Sequence, residues 1–264
     1  LNLVNSITKV GLGNFNVTMK PLGNDEIGKL FSRFNKMTRQ IATLMENIAE
    51  EQRMKRNYEL TALQAQIYPH FLYNTLDNLA ALIQMGMRDK ALQMTTSLSS
   101  FYKIALSKGD SLIPLGEELK HAHNYMEIQK IRYEDDFDYT IEVDPDMHAL
   151  VIPKLSIQPI LENALYHGIR RKRGKGMIAV HGFTSGNIAV IRVTDNGAGM
   201  TEDLRKKLLT EESPVRSFGL KSVHDRLQLY FGNAYGIRIF SEPGKGTQVD
   251  LVFPNKKEGE GDRR

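Results

Sequence analysis

The sequence predicts an all-α first half, built from coiled-coil and bundle helices, followed by an α+β sandwich. Three observations carry that fold class. From Ile27 to Ile48, apolar residues recur at spacings of 3, 4, 3, 4, 3 and 4, the seam of a coiled coil. From Leu60 to Leu106 the apolar period stays helical and is broken once, at Gly86. Beyond Ile131 the pattern changes. Phe137 to Val143, FDYTIEV, alternates as a strand does, and short strand and helix patterns then follow one another to Phe253.

Composition sets the outer bounds. A chain of 264 residues has room for about two domains. It is 41% apolar and 25% charged, a globular balance. The net charge of +4 is too mild to imply nucleic acid as a partner. There is no cysteine, which excludes disulfides, thiolate nucleophiles and cysteine-ligated metals and fits a reducing compartment. No apolar run approaches the roughly 20 residues of a membrane span, and no signal-peptide pattern is present. The chain opens on Leu1 in mid-pattern, as expected of a fragment from a longer protein.

Residues 1–10 read as the end of a helix, with Leu3, Val4, Ile7 and Val10 at helical spacing. Gly11 to Asn14 break it. An extended connector follows over 14–24, with Phe15, Val17 and Met19 at alternate positions, and Asn24 or Asp25 can cap the next helix. The heptad from Ile27 predicts pairing with a second helix in a parallel coiled coil, an amphipathic helix packed in its own domain being the alternative. Residues 49–59, AEEQRMKRNYE, are almost all polar, and the stripe resumes at Leu60 after three steps of four. That is a stutter, where a coiled coil changes core phase.

Next comes Gln64 to Asn78, QAQIYPHFLYNTLDN. Pro69 in a helical pattern removes a hydrogen bond and predicts a bend. Leu60, Leu63, Ile67 and Phe71 make one apolar stripe. Leu72, Leu76, Leu79 and Ile83 make another, rotated by roughly 150°. His70, Asn74 and Asp77 share a polar face at i, i+4 and i+7. The pattern reads either as a presented imidazole or as ordinary packing beside a proline. A helix over 88–107 offers Leu92, Leu98, Phe101, Tyr102, Ala105 and Leu106 as core. Lys108 to Asp110 end it, and Pro114 starts another helix over 115–131. Two such hairpins would close a four-helix bundle, so a homodimer is the economical reading. The second half reads as a helix over 155–168, strands at 177–183 and 187–194, helices near 202–209 and at 219–231, and strands at 235–240 and 247–253. This is a mixed sheet with helices on one face.

Four patches of the second half carry chemistry. They are Gln158 to Gly168 on a helix, Asp195 to Met200 after a strand, Ser217 to Lys221 opening a helix, and Gly244 to Thr247 before the last strand. Each suits a nucleoside triphosphate. Asn163 offers a hard oxygen to Mg²⁺. Asp195 at a strand end can accept from the exocyclic amine of adenine. Gly197 and Gly199 let backbone approach a ring. Gly219 opens a helix whose free N–H groups favour phosphate. Singly, each patch could be an ordinary turn; in this order, on these elements, they point together to a nucleotide site. The run Arg170 to Lys175 reads as a solvated loop, with a contact to triphosphate or to an acidic surface as the sharper alternative.

The four patches resemble the N, G1, F/G2 and G3 boxes of the Bergerat-fold (GHKL) ATPases. QIYPHFLYNTLDNL resembles the phosphoacceptor helix of the LytS/YesM type of sensor histidine kinase, and SFGLKSVHDRLQLYFG its last box and following helix. Residues 11–48 resemble most of a HAMP linker domain. The resemblance implies a HAMP-like domain over 1–48 and a signalling helix over 49–66. It implies a dimerisation and phosphotransfer hairpin over 67–132, an ATP-binding domain over 133–255 and a polar tail over 256–264. It also implies an upstream transmembrane sensor, hence the cytoplasmic part of a membrane-anchored protein. The function implied is an ATP-dependent histidine kinase that autophosphorylates His70 and passes the phosphoryl group to a response-regulator aspartate. A Bergerat ATPase or a phosphatase-biased scaffold is the alternative.

Carried over by position, His70 matches the phosphoacceptor and Asn163 the Mg²⁺ ligand. Glu162 is a contributor to polarising the attacking group, and Asn74 orients the imidazole or a water. His167 falls at phosphate or lid contacts, Asp195 at the adenine reader. Gly197, Gly199, Ser217, Gly219, Leu220, Gly244, Gly246 and Thr247 match the nucleotide loops. Residues 201–217 match the polar ATP lid, expected to be mobile. Three departures stand out. Phe71 occupies the place of the acidic base that often follows the histidine, which leaves Asp77 and Glu162 as candidates. Tyr166 stands where lysine is frequent, and Ser217 replaces a glycine.

Overall fold

The computed structural model describes residues 2–12, 18–19, 26–106, 111–172, 174–208 and 218–256, with main chain alone at 2–4, 6, 7, 46, 48–69, 135, 207 and 218. It divides into two units, 1–70 and 71–264.

In the first unit, α1 covers Asn2–Gly11 and α2 begins at Glu26. The heptad residues Ile27, Leu30, Met37 and Leu44 are exposed on the single chain, as a seam awaiting a second helix requires. Two other heptad residues are turned inward, Phe34 buried beside Asn35 and Thr38, and Ile41 half-buried. There the Asn35 amide holds Met19 from both sides, accepting from its N–H at 2.8 Å and donating to its C=O at 2.7 Å. The expected cap at Asn24 or Asp25, most of the connector, and the side chains of the stutter lie outside the described residues. Helix α2 continues through Pro69 to Gln84 as one helix of 59 residues.

In the second unit, the last turns of α2 meet α3 (Arg88–Ala105) after a turn at Gly86, whose φ of 71° suits glycine. Helix α4 (Leu115–Tyr133) then covers one face of this hairpin. Phe71 packs on Phe101 and Tyr125, and Leu82, Ala91 and Met94 form a cluster with Leu79, Met87 and Ile131. Two expected core residues of α3 are corrected here. Leu92 and Leu106 are 67% and 72% exposed, because the face that α4 covers is the one with Ala91, Met94, Leu98 and Phe101. Leu76 and Ile83 of α2 are exposed as well, while Thr75 and Leu82 point inward. Along α4, four inward residues are polar, Glu118 among them. The other three, His121, Tyr125 and Gln129, follow at i, i+4 and i+8, all buried, and the two ring nitrogens of His121 find no hydrogen bond among the described residues.

The sandwich follows. Strands β1 (Leu112–Pro114) and β3 (Val151–Pro153), an antiparallel pair, were not legible in the sequence. Strands β2 (Phe137–Val143), β4 (Gly176–Ser185), β5 (Ile188–Asp195), β6 (Gly236–Glu242) and β7 (Gly246–Pro254) form a mixed sheet in the order β2-β4-β5-β7-β6. Only the β2–β4 pairing is parallel. The period of two decides its faces. Ala189, Ile191, Val193, Val249 and Leu251 are buried on one side, while Arg192 and Asp250 pair across the other at 2.7 and 2.8 Å. Helices α5 (Gln158–Asn163), α6 (Glu202–Lys207) and α7 (Phe218–Phe231) complete the domain.

The helix expected from Leu155 begins three residues later. Leu155 is left-handed, with φ 61°, a conformation that costs a non-glycine residue roughly 1–2 kcal/mol. A buried carboxylate compensates. Glu118 of α4 accepts from the N–H groups of Leu155, Ser156 and Ile157 at 2.9, 2.7 and 2.9 Å. Only the last of these, at Ile157, borders the helix start; the other two belong to the turn that leads into it. Burial raises the Glu118 carboxyl, and those three N–H groups with Arg226 oppose the rise. Past Asn163 the helix widens into a π turn at Ala164–Gly168 and tightens into a 3-10 turn at Ile169–Arg171.

Candidate functional site

All four sequence patches meet at one cavity. Its walls include Asn163, His167 and Gly168 from the first patch, Asp195, Gly199 and Met200 from the second, Leu220 from the third and Thr247 from the fourth. Its volume is about 120 Å³, room for roughly four waters, or for a flat ring with apolar walls. Ile160, Val193, Leu204, Leu208 and Val249 supply those walls.

Asp195 is the polar group of the floor. It ends β5 and is only 8% exposed. Its Oδ1 accepts from the Gly197 N–H at 2.8 Å. Burial pushes its carboxyl up to about 6, against the pull of the Gly197 and Thr247 N–H groups and Lys172. The loop after it is tied down on both sides. Ala198 N–H donates to Gly168 C=O at 3.1 Å, and Gly244 N–H donates to Ala198 C=O at 2.7 Å. Ser241 Oγ accepts from Met200 N–H and donates to Gly246 C=O. Two glycines are demanded here. Gly199 has φ 65°, and a Cβ there would run into the Glu242 carbonyl. A Cβ on Gly168 would stand 2.6 Å from Asp195 Oδ1.

Asn163 donates its Nδ2 to Pro159 C=O at 2.7 Å, one helical turn back. Its Oδ1 is therefore the atom left to face a metal, a hard oxygen of the kind Mg²⁺ takes. His167, one turn further on, is exposed at the cavity rim.

The sequence-derived residues separate into groups. Asn163, His167, Asp195, Gly199, Leu220 and Thr247 line the cavity. Gly197, Gly219 and Gly246 do not; they shape it from behind. Gly197 donates to Asp195, a Cβ on Gly219 would press on Pro159 at 3.2 Å, and a Cβ on Gly246 would collide with the Asp195 carbonyl. Glu162 is not brought to the cavity. Burial raises its carboxyl, and its charge acts on Tyr125 and Tyr166 instead. Tyr166 is accounted for on the same side. Its ring meets Tyr133 of α4 edge-on, and Arg170 lies over both rings. Ser217 lies outside the described residues. His70 is exposed on α2, followed by half-buried Asn74 and exposed Asp77.

Two expectations change. The start of the polar lid segment is the helix α6, capped by Thr201, and it contributes the apolar Leu204 and Leu208 to the cavity; residues 209–217 lie outside the described residues. The basic run is more than a solvated loop. Arg171 lines the cavity, Lys172 donates to Asn196 C=O at 2.6 Å, and Lys175 pairs with Asp138. The signal for Arg171 was its place one turn after His167.

Three family descriptions match along the chain: the HAMP domain over residues 1–43, histidine kinase over 58–137, and the histidine kinase-, DNA gyrase B- and HSP90-like ATPase over 153–257. Sensor histidine kinase YesM of Bacillus subtilis (strain 168) is 34% identical over 234 residues, 89% of this chain. The chain belongs to the sensor histidine kinases. Within that family it is of the LytS/YesM type. Sensor histidine kinase YpdA of Escherichia coli (strain K12) is 34% identical over 82% of the chain, and sensor protein LytS of Bacillus anthracis 28% over 78%. The chain spans 40%, 38% and 36% of the lengths of these relatives. Among the described residues no helix is long and apolar enough to cross a membrane.

Proposed function

We propose that this chain is the kinase core of a two-component sensor, binding ATP in the Asp195 cavity and phosphorylating His70. The observation that supports this best is the convergence of all four patches on that cavity. Adenine fits the floor: its exocyclic amine donates to the Asp195 carboxylate while Ile160, Val193 and Val249 flank the ring. The triphosphate runs toward Asn163, His167 and the start of α7, where free N–H groups and the helix dipole favour anions. Mg²⁺ held on Asn163 Oδ1 would neutralise phosphate charge.

In the transfer, an imidazole nitrogen of His70 bonds to the γ-phosphorus as the β–γ bridging bond breaks and ADP leaves. The imidazole proton passes to a base or to water. Positioning carries most of such a reaction. Asn74 and Asp77 stand one and two turns along the same helix. The phosphoryl group then passes to an aspartate of a response regulator. The chain acts as a homodimer: the exposed seam of Ile27, Leu30, Met37 and Leu44 and the exposed Leu76, Ile83, Leu92 and Leu106 are the surfaces a second copy would cover. In this reading residues 1–48 are a HAMP-like relay, 49–66 a signalling helix, 67–132 the phosphotransfer hairpin and 133–255 the ATP-binding domain. A membrane-spanning sensor precedes them.

Incubation with γ-labelled ATP and Mg²⁺ tests the proposal. The expected result is an acid-labile, alkali-stable label that is absent in His70→Gln. Label of equal strength in His70→Gln would refute the assignment. ATP turnover that survives the substitution, without any label, would point to a simple ATPase.

A further inference from the structure

We infer that Glu118, which lies outside all four patches, is a positioning residue for the nucleotide site, acting with Arg226 as a latch on the left-handed residue Leu155. The inference rests on the ATP-binding reading above. Glu118 is fully buried on α4, yet its carboxylate reaches three consecutive backbone N–H groups, of Leu155, Ser156 and Ile157. The next residue opens α5, whose own start carries no side-chain cap. The turn that leads into it is held from another helix instead.

Arg226 holds the same loop from its carbonyl side. Its guanidinium donates to the Lys154 and Leu155 carbonyls, each at 2.7 Å. Leu155 is thus gripped by an anion at its N–H and a cation at its C=O, in a conformation that a leucine does not hold unaided. Each grip belongs to a different helix. Glu118 comes from α4, Arg226 from α7, and the loop they hold leads into α5.

The two helices fixed by this latch are two that face the nucleotide. Asn163 lies six residues after Ile157, and Leu220 six residues before Arg226, each about 9 Å along its helix. A tilt of 10° at the latch would move either residue by roughly 1.5 Å at that rise, and misplacements of about 1 Å can cost on the order of a hundredfold in rate. Glu118 does not touch the cavity; it acts through the placement of Asn163 and Leu220.

The test uses the whole chain with Glu118→Gln, which keeps shape but puts an amide N–H₂ against a backbone donor, and with Arg226→Lys, which keeps charge but loses the fork. ATP affinity is measured by titration of a fluorescent ATP analogue, and KM and kcat by the rate of His70 labelling. Circular dichroism reports the folded fraction. The expected result is at least a tenfold rise in Kd and KM for ATP in each variant while the protein remains folded. A merely structural role would lower melting temperature and active fraction and leave the Kd of the folded protein unchanged. Wild-type Kd and KM in both folded variants overturn the latch. If Glu118→Gln fails to fold, Arg226→Lys decides by the same criterion. A wild-type chain that does not bind the analogue sinks the ATP-binding reading itself, and the latch with it, and so is told apart from failure of the latch alone.

Discussion

On the proposed ATP-binding reading, Asp195 makes a pH-dependent reader of adenine. Its carboxyl is held near 6 by burial, so ionisation is about nine-tenths at pH 7 and about one-tenth at pH 5. That tenfold loss of the charged acceptor corresponds to about 1.4 kcal/mol. A hydrogen bond to a charged acceptor contributes roughly 1.5–3 kcal/mol. Adenosine is the cleanest probe, because it carries no phosphate that titrates in the same range. Calorimetric competition should show its Kd rising about tenfold between pH 7 and pH 5 for the wild type. Asp195→Asn should bind at least about tenfold more weakly at pH 7, with no slope between pH 7 and 5. A wild-type Kd that is flat over this range, or a slope retained in Asp195→Asn, would refute the reasoning. The same shift sets a stability trend. The folded state holds this proton more tightly than the unfolded chain, so the Asp195 contribution falls as pH rises from about 4 to 6.

Other predictions follow from the same geometry. Gly168→Ala places a Cβ 2.6 Å from Asp195 Oδ1 and should abolish analogue binding while the fold survives by circular dichroism. Arg171→Ala removes a cation from the cavity wall and should weaken ATP several-fold but leave adenosine unchanged, as calorimetry can check. His121 is buried, and burial lowers its imidazole to about 4. The unfolded chain therefore takes up that proton first, and stability falls as pH drops from about 6.5 to 4. His121→Leu should flatten this acid limb in melting curves. At pH 7 it should also raise the melting temperature by about 2–4 °C, since it removes a buried polar ring with no hydrogen bond. Ile83→Lys with Leu92→Lys charges the exposed apolar face and should dissociate the proposed homodimer in sedimentation.

The order of helices and strands was legible because apolar periodicity survives wherever one face is buried. Strands β5 and β7 show it in their residue types, with Val193 and Val249 on one face and the ion-paired Arg192 and Asp250 on the other. Motif spacing likewise pointed to the residues that line the cavity. What escaped was long-range. Glu118 reads as one more acid on an amphipathic helix, and its three N–H partners lie 37 to 39 residues away. Nothing local foretells a left-handed Leu155. Leu92 and Leu106 were misplaced for a similar reason: helical spacing identifies an apolar stripe, but not which neighbour covers it.

The stretch from Glu162 to Arg171 has two lives. Asn163, His167 and Arg171, at steps of four, look toward the cavity, whereas Glu162, Tyr166 and Arg170, at the same steps, look toward α4 and Tyr133. Inheritance should treat them separately. On the proposed reading the cavity set answers to ATP, so it should have little freedom to drift. The Tyr166 set answers only to the helix it touches, so across relatives it should change in step with position 133. The tyrosine found where lysine was expected is then a local dialect of the joint, and ligands designed against the nucleotide cavity would be blind to it.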